Sequence, residues 1–257
     1  MKLALWQTSP TDGQIEAAFS ALCRALRASA AAGASMLVAP ELFLPGYNRP
    51  DLHETLAQPL DGEWITRLRE MARAEGCGIC LGWAERDGEA AYNAATCIGP
   101  DGALLDHYRK IQLYGEMERG SFARGDRLSE GFALSGRKIA PLVCYDIEFP
   151  GHAGKLAAKG VNLILVPTAN PAGFEHVQDV LVPARAHENN AVVAYANLAG
   201  TENGLTFGGQ SVIAGPDGKV IARAGARGEA LLIVDLDAAD DIADVMRSEQ
   251  KSEYRSA

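Results

Sequence analysis

The thiol of Cys144, the ammonium of Lys110 and the carboxylate of Glu41 are the side chains of this sequence whose types and placement add up to a reaction. Each stands by the end of an expected strand. Lys138-Ile-Ala-Pro-Leu-Val reads as a strand reaching about Val143, after which Cys144-Tyr-Asp-Ile-Glu opens a turn or helix start. Glu41 follows Ser35-Met-Leu-Val-Ala39, a short buried strand that Pro40 turns out into a loop. Lys110 follows the second strand of a hairpin. A cysteine at such a strand end meets exposed amide groups that lower a thiol pKa and cradle a developing oxyanion. No histidine partner is evident, so a carboxylate is the available base, and it must be buried enough to raise its pKa. A nearby lysine then supplies positive charge for an anionic tetrahedral intermediate. Each residue also has an ordinary reading, as a capping glutamate, a solvated lysine and a core cysteine, and spacing alone leaves both open.

Other motifs carry less. Cys77-Gly-Ile-Cys80 has the spacing of a redox or zinc pair, but no second pair follows, and a strand would point the two thiols to opposite faces. A Ser-x-x-Lys pattern occurs twice, at Ser135 and Ser248, and specifies nothing. The five histidines have no ligand spacing, and neither a phosphate-binding glycine loop nor a nucleophile-elbow motif is present. No metal site is expected.

Composition narrows the class further. With 47% hydrophobic and 22% charged residues the chain is an ordinary globular one, long enough for a substantial core. A formal net charge of -9 without a basic stripe argues against a nucleic-acid partner. No apolar stretch approaches the roughly 18 residues of a membrane span, and the first residues are too weakly apolar for a signal peptide. Five scattered cysteines suit reduced thiols, so the expectation is a cytoplasmic protein with no membrane association.

The elements that must position these side chains alternate between strand and helix. Residues 2–8 read as a strand, and Thr11-Asp-Gly-Gln14 as a capping box for a helix running to Gly33. Asp61 is expected to cap a helix over 62–75, followed by a strand over 77–83. Residues 109–130 form a long, charged, Gly-punctuated connection whose aromatics argue for order. Beyond Cys144 the pattern predicts a helix over about 152–159, strands over 161–166 and 191–196, a helical stretch over 174–188, a strand over 230–236 and an acidic helix near 238–247. Two hairpins share one turn, Gly99-Pro-Asp-Gly102 and Gly215-Pro-Asp-Gly218, which hints at two similar sheets. No linker interrupts the chain, and one domain over 1–257 is the economical reading.

Four segments together resemble the nitrilase superfamily, the carbon-nitrogen hydrolases: Pro40-Glu41-Leu-Phe-Leu-Pro-Gly-Tyr47, Tyr108-Arg-Lys110-Ile-Gln-Leu, Val143-Cys144-Tyr-Asp146-Ile-Glu-Phe-Pro150 and Pro183-Ala-Arg-Ala-His-Glu-Asn189. The resemblance covers nearly the whole chain in order. It implies an α/β fold, a four-layer αββα sandwich with two mixed β-sheets, and members that associate as homodimers or larger homo-oligomers. It also implies a Glu-Lys-Cys triad of Glu41 as general base, Lys110 as oxyanion stabiliser and Cys144 as nucleophile. A second glutamate is implied in the loop before Phe122-Ala-Arg-Gly-Asp126, with Glu118 the best match and Glu116 the fallback. No cofactor is implied.

True nitrilases of this family carry Trp-Glu after the nucleophile, whereas Tyr145-Asp146 stands here, as in the amidase and carbamoyl-amidase branches. The expected substrate is therefore a small-molecule amide, and the expected activity that of a thiol amidohydrolase. An N-carbamoyl amide hydrolase, a nitrilase and a catalytically silent scaffold are the alternatives. Tyr47, Tyr114, Tyr145, Asn170 and Phe174 are candidates for substrate binding, as loop aromatics and polar tips that line pockets, or for plain loop packing. Thr168-Ala-Asn-Pro-Ala-Gly-Phe174 supplies no base for a substrate carboxylate, which favours a neutral or amine-bearing amide. Gly151-His152 after the Phe-Pro pair and Gln210, where serine is frequent, depart from the family pattern.

Overall fold

Strands that are apolar on both sides need cover on both sides, and this requirement builds the molecule. The computed structural model describes residues 1–241 and 243–253. Its first part runs β1 (Lys2–Gln7), α1 (Ile15–Ala31), β2 (Met36–Val38), α2 (Pro50–Leu56), α3 (Glu63–Glu75), β3 (Gly78–Asp87), β4 (Ala90–Ile98), β5 (Leu104–Arg109) and α4 (Gly115–Ser121). The second runs β6 (Phe132–Leu134), β7 (Arg137–Pro141), α5 (Pro150–Ala158), β8 (Leu163–Pro167), α6 (Val182–Asn189), β9 (Val192–Ala196), β10 (Ala199–Glu202), β11 (Leu205–Gly208), β12 (Val212–Ala214), β13 (Val220–Arg223), β14 (Ala230–Asp235) and α7 (Leu236–Asp240).

The strands form two six-stranded mixed sheets, ordered β14-β1-β2-β3-β4-β5 and β13-β12-β9-β8-β7-β6. Period-2 alternation divides their residues. Leu3, Leu5, Val38, Leu163, Leu165 and Ile213 meet between the sheets. Ala4, Trp6, Ile79 and Trp83 face the other way, onto Phe19, Leu22, Trp64 and Leu68 of α1 and α3. Ile164, Val166 and Tyr195 likewise pack on Leu156 of α5 and Val182 and Ala186 of α6. The result is a single-domain αββα sandwich, in which each fully buried Leu, Ile or Val contributes about 1.5–3 kcal/mol.

The two sheets repeat one topology. In the first, β1, β2 and β3 are parallel and β4 and β5 antiparallel. In the second, β7, β8 and β9 are parallel and β12 and β13 antiparallel. The matching turns close both final hairpins with the same bonds, Gly102 N–H to Gly99 O at 2.8 Å and Gly218 N–H to Gly215 O at 2.9 Å. The shared turn sequence therefore marks equivalent corners of the two sheets. The parallel strands of both sheets bring their carboxyl ends to one end of the sandwich, where Glu41 N–H reaches the Thr168 carbonyl at 3.3 Å. That is where ligands bind in open α/β sheets.

Several local expectations need correction. Thr11 does not cap α1: its hydroxyl has no partner, and its carbonyl instead closes a turn onto Gln14 N–H at 3.0 Å. Asp12 and Gly13 within that turn both have positive φ, so the chain bends before the helix starts. Asp61 does not cap α3 either, since the N-cap is Gly62. The strand before Cys144 stops at Pro141, and the helical stretch over 174–188 is a π-turn, Val177–Leu181, leading into α6. The acidic helix near 238–247 is α7 followed by a 3-10 turn, Asp244–Met246, and residue 242 lies outside the described residues. The long connection is ordered and contains α4. Short α2 and the β10–β11 hairpin were not expected. Cys77 and Cys80 do face opposite sides, in different core clusters.

Candidate active site

A lysine side chain with no exposed surface marks the centre of this end of the sandwich. Lys110 leaves the end of β5, where its backbone N–H is pinned to the Asn93 carbonyl of β4 at 2.8 Å. Its Nζ donates to Glu41 Oε1 and to Glu118 Oε1, each at 2.7 Å. Burial opposes the ammonium charge, but the two carboxylates outweigh it and hold the Lys110 pKa above its ordinary value.

Glu41 is wholly buried in the loop after β2. Its Oε1 accepts from Lys110 and from Asn93 Nδ2, the latter at 2.7 Å, while its Oε2 has no partner. Burial pushes its pKa up, Lys110 pulls it back, and the negative charge of Glu118 pushes it up again. A carboxylate so placed has one oxygen anchored and the other available to take a proton.

Glu118 lies in α4, and the structure separates it from its neighbour: Glu118 is buried and Glu116 exposed. Glu118 Oε1 also accepts from Tyr47 Oη at 2.8 Å, and its Oε2 from Tyr114 N–H at 3.0 Å. Tyr47 is thus tied to the charged cluster, and burial followed by the charge of Glu118 raises its pKa well above the usual phenol value.

Cys144 begins a 3-10 turn, Cys144–Glu148, directly beyond the second sheet. Its φ of 43° is left-handed, a conformation that costs a non-glycine residue about 1–3 kcal/mol and collects at functional sites. The first N–H groups of such a turn have no acceptor within it. Burial and the charge of Glu41 push the Cys144 thiol well above its ordinary pKa, while Lys110 and a hydrogen bond from the Ala169 backbone pull it down. The thiol is therefore protonated at neutral pH unless a base takes its proton.

Around this cluster the aromatic candidates gather. The Tyr114 ring lies 5.2 Å from that of Tyr145 and 6.0 Å from that of Phe174, both edge to face. Asn170 differs from them: its Nδ2 is engaged by the Phe174 carbonyl and by Gln178 Oε1, both at 3.0 Å, bracing the loop that carries Phe174. Sequence reasoning missed Asn93, an ordinary polar residue within a strand, and Tyr108, whose hydroxyl donates to buried Asp146 at 2.8 Å. Asn93 has no local signal, and Tyr108 opens the segment around Lys110 without any sign there of its partner, because both act on groups far away in sequence. Among the described residues no three His, Cys, Asp or Glu side chains are arranged to hold a metal ion, and no helix is long and apolar enough to cross a membrane.

The profile of the family described as carbon-nitrogen hydrolase matches residues 2–243. A protein described as a hydrolase in the pqqF 5' region of Pseudomonas protegens is 42% identical over 240 residues, covering 92% of this chain and 83% of the relative. A nitrilase of Pyrococcus abyssi is 34% identical over 241 residues, covering 92% and 90%. Among solved structures, a variant of the amidase from Nesterenkonia sp. AN1 in complex with butyramide superposes with a TM-score of 0.87 at 33% identity, covering 93% of this chain and 92% of that one.

Proposed function

This chain belongs to the carbon-nitrogen hydrolase family, and within that family we propose that it is a thiol amidohydrolase converting small carboxamides to carboxylic acids and ammonia through a thioester on Cys144. The observation that carries the reading is the buried Glu41 carboxylate, anchored through Oε1 with Oε2 unpartnered, whose charge is near enough to push the Cys144 thiol pKa up. The reading is supported by the likeness to the amidase of Nesterenkonia sp. AN1, and Tyr145-Asp146 after the nucleophile favours amides over nitriles.

In this mechanism Glu41 takes the proton from Sγ as the sulfur bonds to the amide carbon. The carbonyl oxygen becomes an oxyanion held by the Lys110 ammonium and the Tyr145 backbone N–H. Glu41 then returns the proton to the amide nitrogen, the C–N bond breaks and ammonia leaves. A water molecule, giving its proton to Glu41, attacks the thioester carbon. Collapse of the second tetrahedral species breaks the C–S bond, releases the acid and restores the thiol. Glu118 keeps the lysine charged and aimed, since it accepts a second hydrogen bond from Nζ beside that of Glu41. No metal or organic cofactor enters these steps. Tyr47, Tyr114, Tyr145 and Phe174 supply the walls of the substrate pocket and Asn170 holds one wall in place; with no base offered from 168–174, neutral or amine-bearing amides fit best.

Association into a homodimer or larger oligomer is part of the same proposal, supported by exposed Val180, Val220 and Ile221 in segments joined through Arg223 and Asp179. Light scattering on the eluting protein reads it directly. A cytoplasmic location accords with five unpaired cysteines. The activity is tested by ammonia release from aliphatic amides, amino-acid amides, N-carbamoyl compounds and nitriles, beside Cys144→Ala. Release from amides that the variant loses supports the proposal. Carbon dioxide released with the ammonia points to the carbamoyl reading, and nitrile turnover without amide turnover overturns the proposal.

A further inference from the structure

Asp146 follows Cys144 by two residues and is wholly buried, yet it makes no hydrogen bond to Glu41, Lys110 or Glu118. Its carboxylate accepts from Tyr108 Oη at 2.8 Å, from Gln112 N–H at 2.8 Å and from Val143 N–H at 3.3 Å. Tyr108 and Gln112 flank Lys110, two residues before it and two after. Val143 immediately precedes Cys144. Tyr108 belongs to β5 of the first sheet, and Val143 follows β7 of the second. One carboxylate thus ties together the chain on both sides of the lysine and the chain leading to the cysteine, across the two halves of the sandwich.

We propose that Asp146 is a positioning residue whose three hydrogen bonds set the separation and orientation of the Lys110 ammonium and the Cys144 thiol; this rests on the amidohydrolase reading of that site. A residue needed only to close the turn at 143–146 would use the Val143 N–H alone. The bonds to Tyr108 and Gln112 span the two sheets and do nothing for that turn. They also require a carboxylate. Asparagine carries one acceptor oxygen and cannot serve three donors, and its amide group would present N–H to groups that themselves donate. Charge-assisted hydrogen bonds are short and directional, and effective catalysis depends on placement to within a fraction of an ångström.

The test measures kcat and KM separately on one accepted amide, and the rate of Cys144 alkylation by iodoacetamide, for wild type, Tyr108→Phe, Asp146→Asn and the double variant. Tyr108→Phe removes one bond and adds no group. The expected result is kcat lowered about 5–10-fold in Tyr108→Phe and about 100-fold or more in Asp146→Asn, with KM within about twofold, and a double variant no worse than Asp146→Asn, because both act through one contact. Alkylation should slow in Tyr108→Phe as the lysine drifts and stabilises the thiolate less. Unchanged kcat and alkylation in folded Tyr108→Phe, or effects that multiply in the double variant, overturn the proposal. If Asp146→Asn does not fold, Tyr108→Phe decides alone. If the wild type hydrolyses no amide, the amidohydrolase reading fails, and the alkylation rates still judge the positioning role.

Discussion

Gly82 of β3 lies against the backbone of Glu41: a Cβ added at Gly82 would stand 2.4 Å from Glu41 Cα. The same added carbon would meet Leu42 N and Pro40 O, each at 2.8 Å. These are backbone atoms, so nothing can rotate away. Glycine at this point lets the strand and the loop carrying the glutamate touch, with Gly82 N–H donating to the Pro40 carbonyl at 3.1 Å and Phe43 N–H to the Gly82 carbonyl at 2.9 Å.

Gly82→Ala should therefore push the Glu41 loop off the strand. A shift of about 1 Å in a base costs on the order of 100-fold in rate, and the overpacked site costs about 1–3 kcal/mol of stability. Steady-state kinetics and a urea melt read both; wild-type kcat in a folded variant would contradict the assignment of Glu41.

Lys110→Met should leave two buried carboxylates facing one another without their cation. The expected loss is about 3–5 kcal/mol at neutral pH, because an uncompensated charge remains in the interior. With the lysine gone, the Glu41 pKa, already raised by burial, loses the cation that pulls it down and rises further above its unfolded value, so Glu41 stabilises the fold at low pH and that stability disappears as pH rises through the raised pKa. The variant should regain ground on the wild type on acidification. Parallel melting curves for the two proteins from pH 7 to 5 would refute this.

Glu118→Gln should lower kcat about 100-fold or more, since it weakens the bonds that aim Lys110 and Tyr47, whereas exposed Glu116→Gln should stay within about twofold. The pair of variants, assayed side by side, separates two glutamates that stand only two positions apart in sequence.

Burial raises the Asp146 carboxyl to about 6, against the pull of Lys110 and of its three donors. Protonation there removes an acceptor from groups that have only hydrogens to offer, so kcat should fall as pH drops through about 6. An ordinary aspartate, ionising near pH ~3.9, would add nothing to the fall in that range. Burial also raises the Glu41 carboxyl, which gives an acidic limb of its own, so the share that belongs to Asp146 is the part that moves to higher pH in Tyr108→Phe, which removes one of the donors holding Asp146 ionised. The pH profiles of kcat for wild type and Tyr108→Phe check this, and acidic limbs that coincide between pH 7 and 5 would rule it out.

A mass spectrum of the enzyme quenched during turnover of a slow amide should show the acyl group added to Cys144. Its absence, with acid accumulating, would exclude the thioester route.

From its own residues the sequence carried the strand and helix pattern and the hint of two similar sheets, and through its resemblance to a known family it implied the four-layer sandwich and a site of Glu41, Lys110 and Cys144. Strand alternation, the repeated Gly-Pro-Asp-Gly turns and four ordered segments are all local signals, and each records a requirement satisfied within a few residues. The sequence was less clear where local rules had rivals, as at Thr11, displaced by a turn that holds Asp12 and Gly13 at positive φ, and at Asp61, where Gly62 bonds the Pro59 carbonyl and takes the N-cap position itself. Only the tertiary structure chose Glu118 over Glu116, because the choice depends on which face of α4 meets the lysine. It alone joined Asn93 to Glu41, Gly82 to the Glu41 loop and Asp146 to Tyr108. Those pairings are contacts between separate strands and turns. Hydrogen bonding and close packing act over a few ångströms of space, and the distance along the chain between two residues says nothing about whether folding brings them within that range.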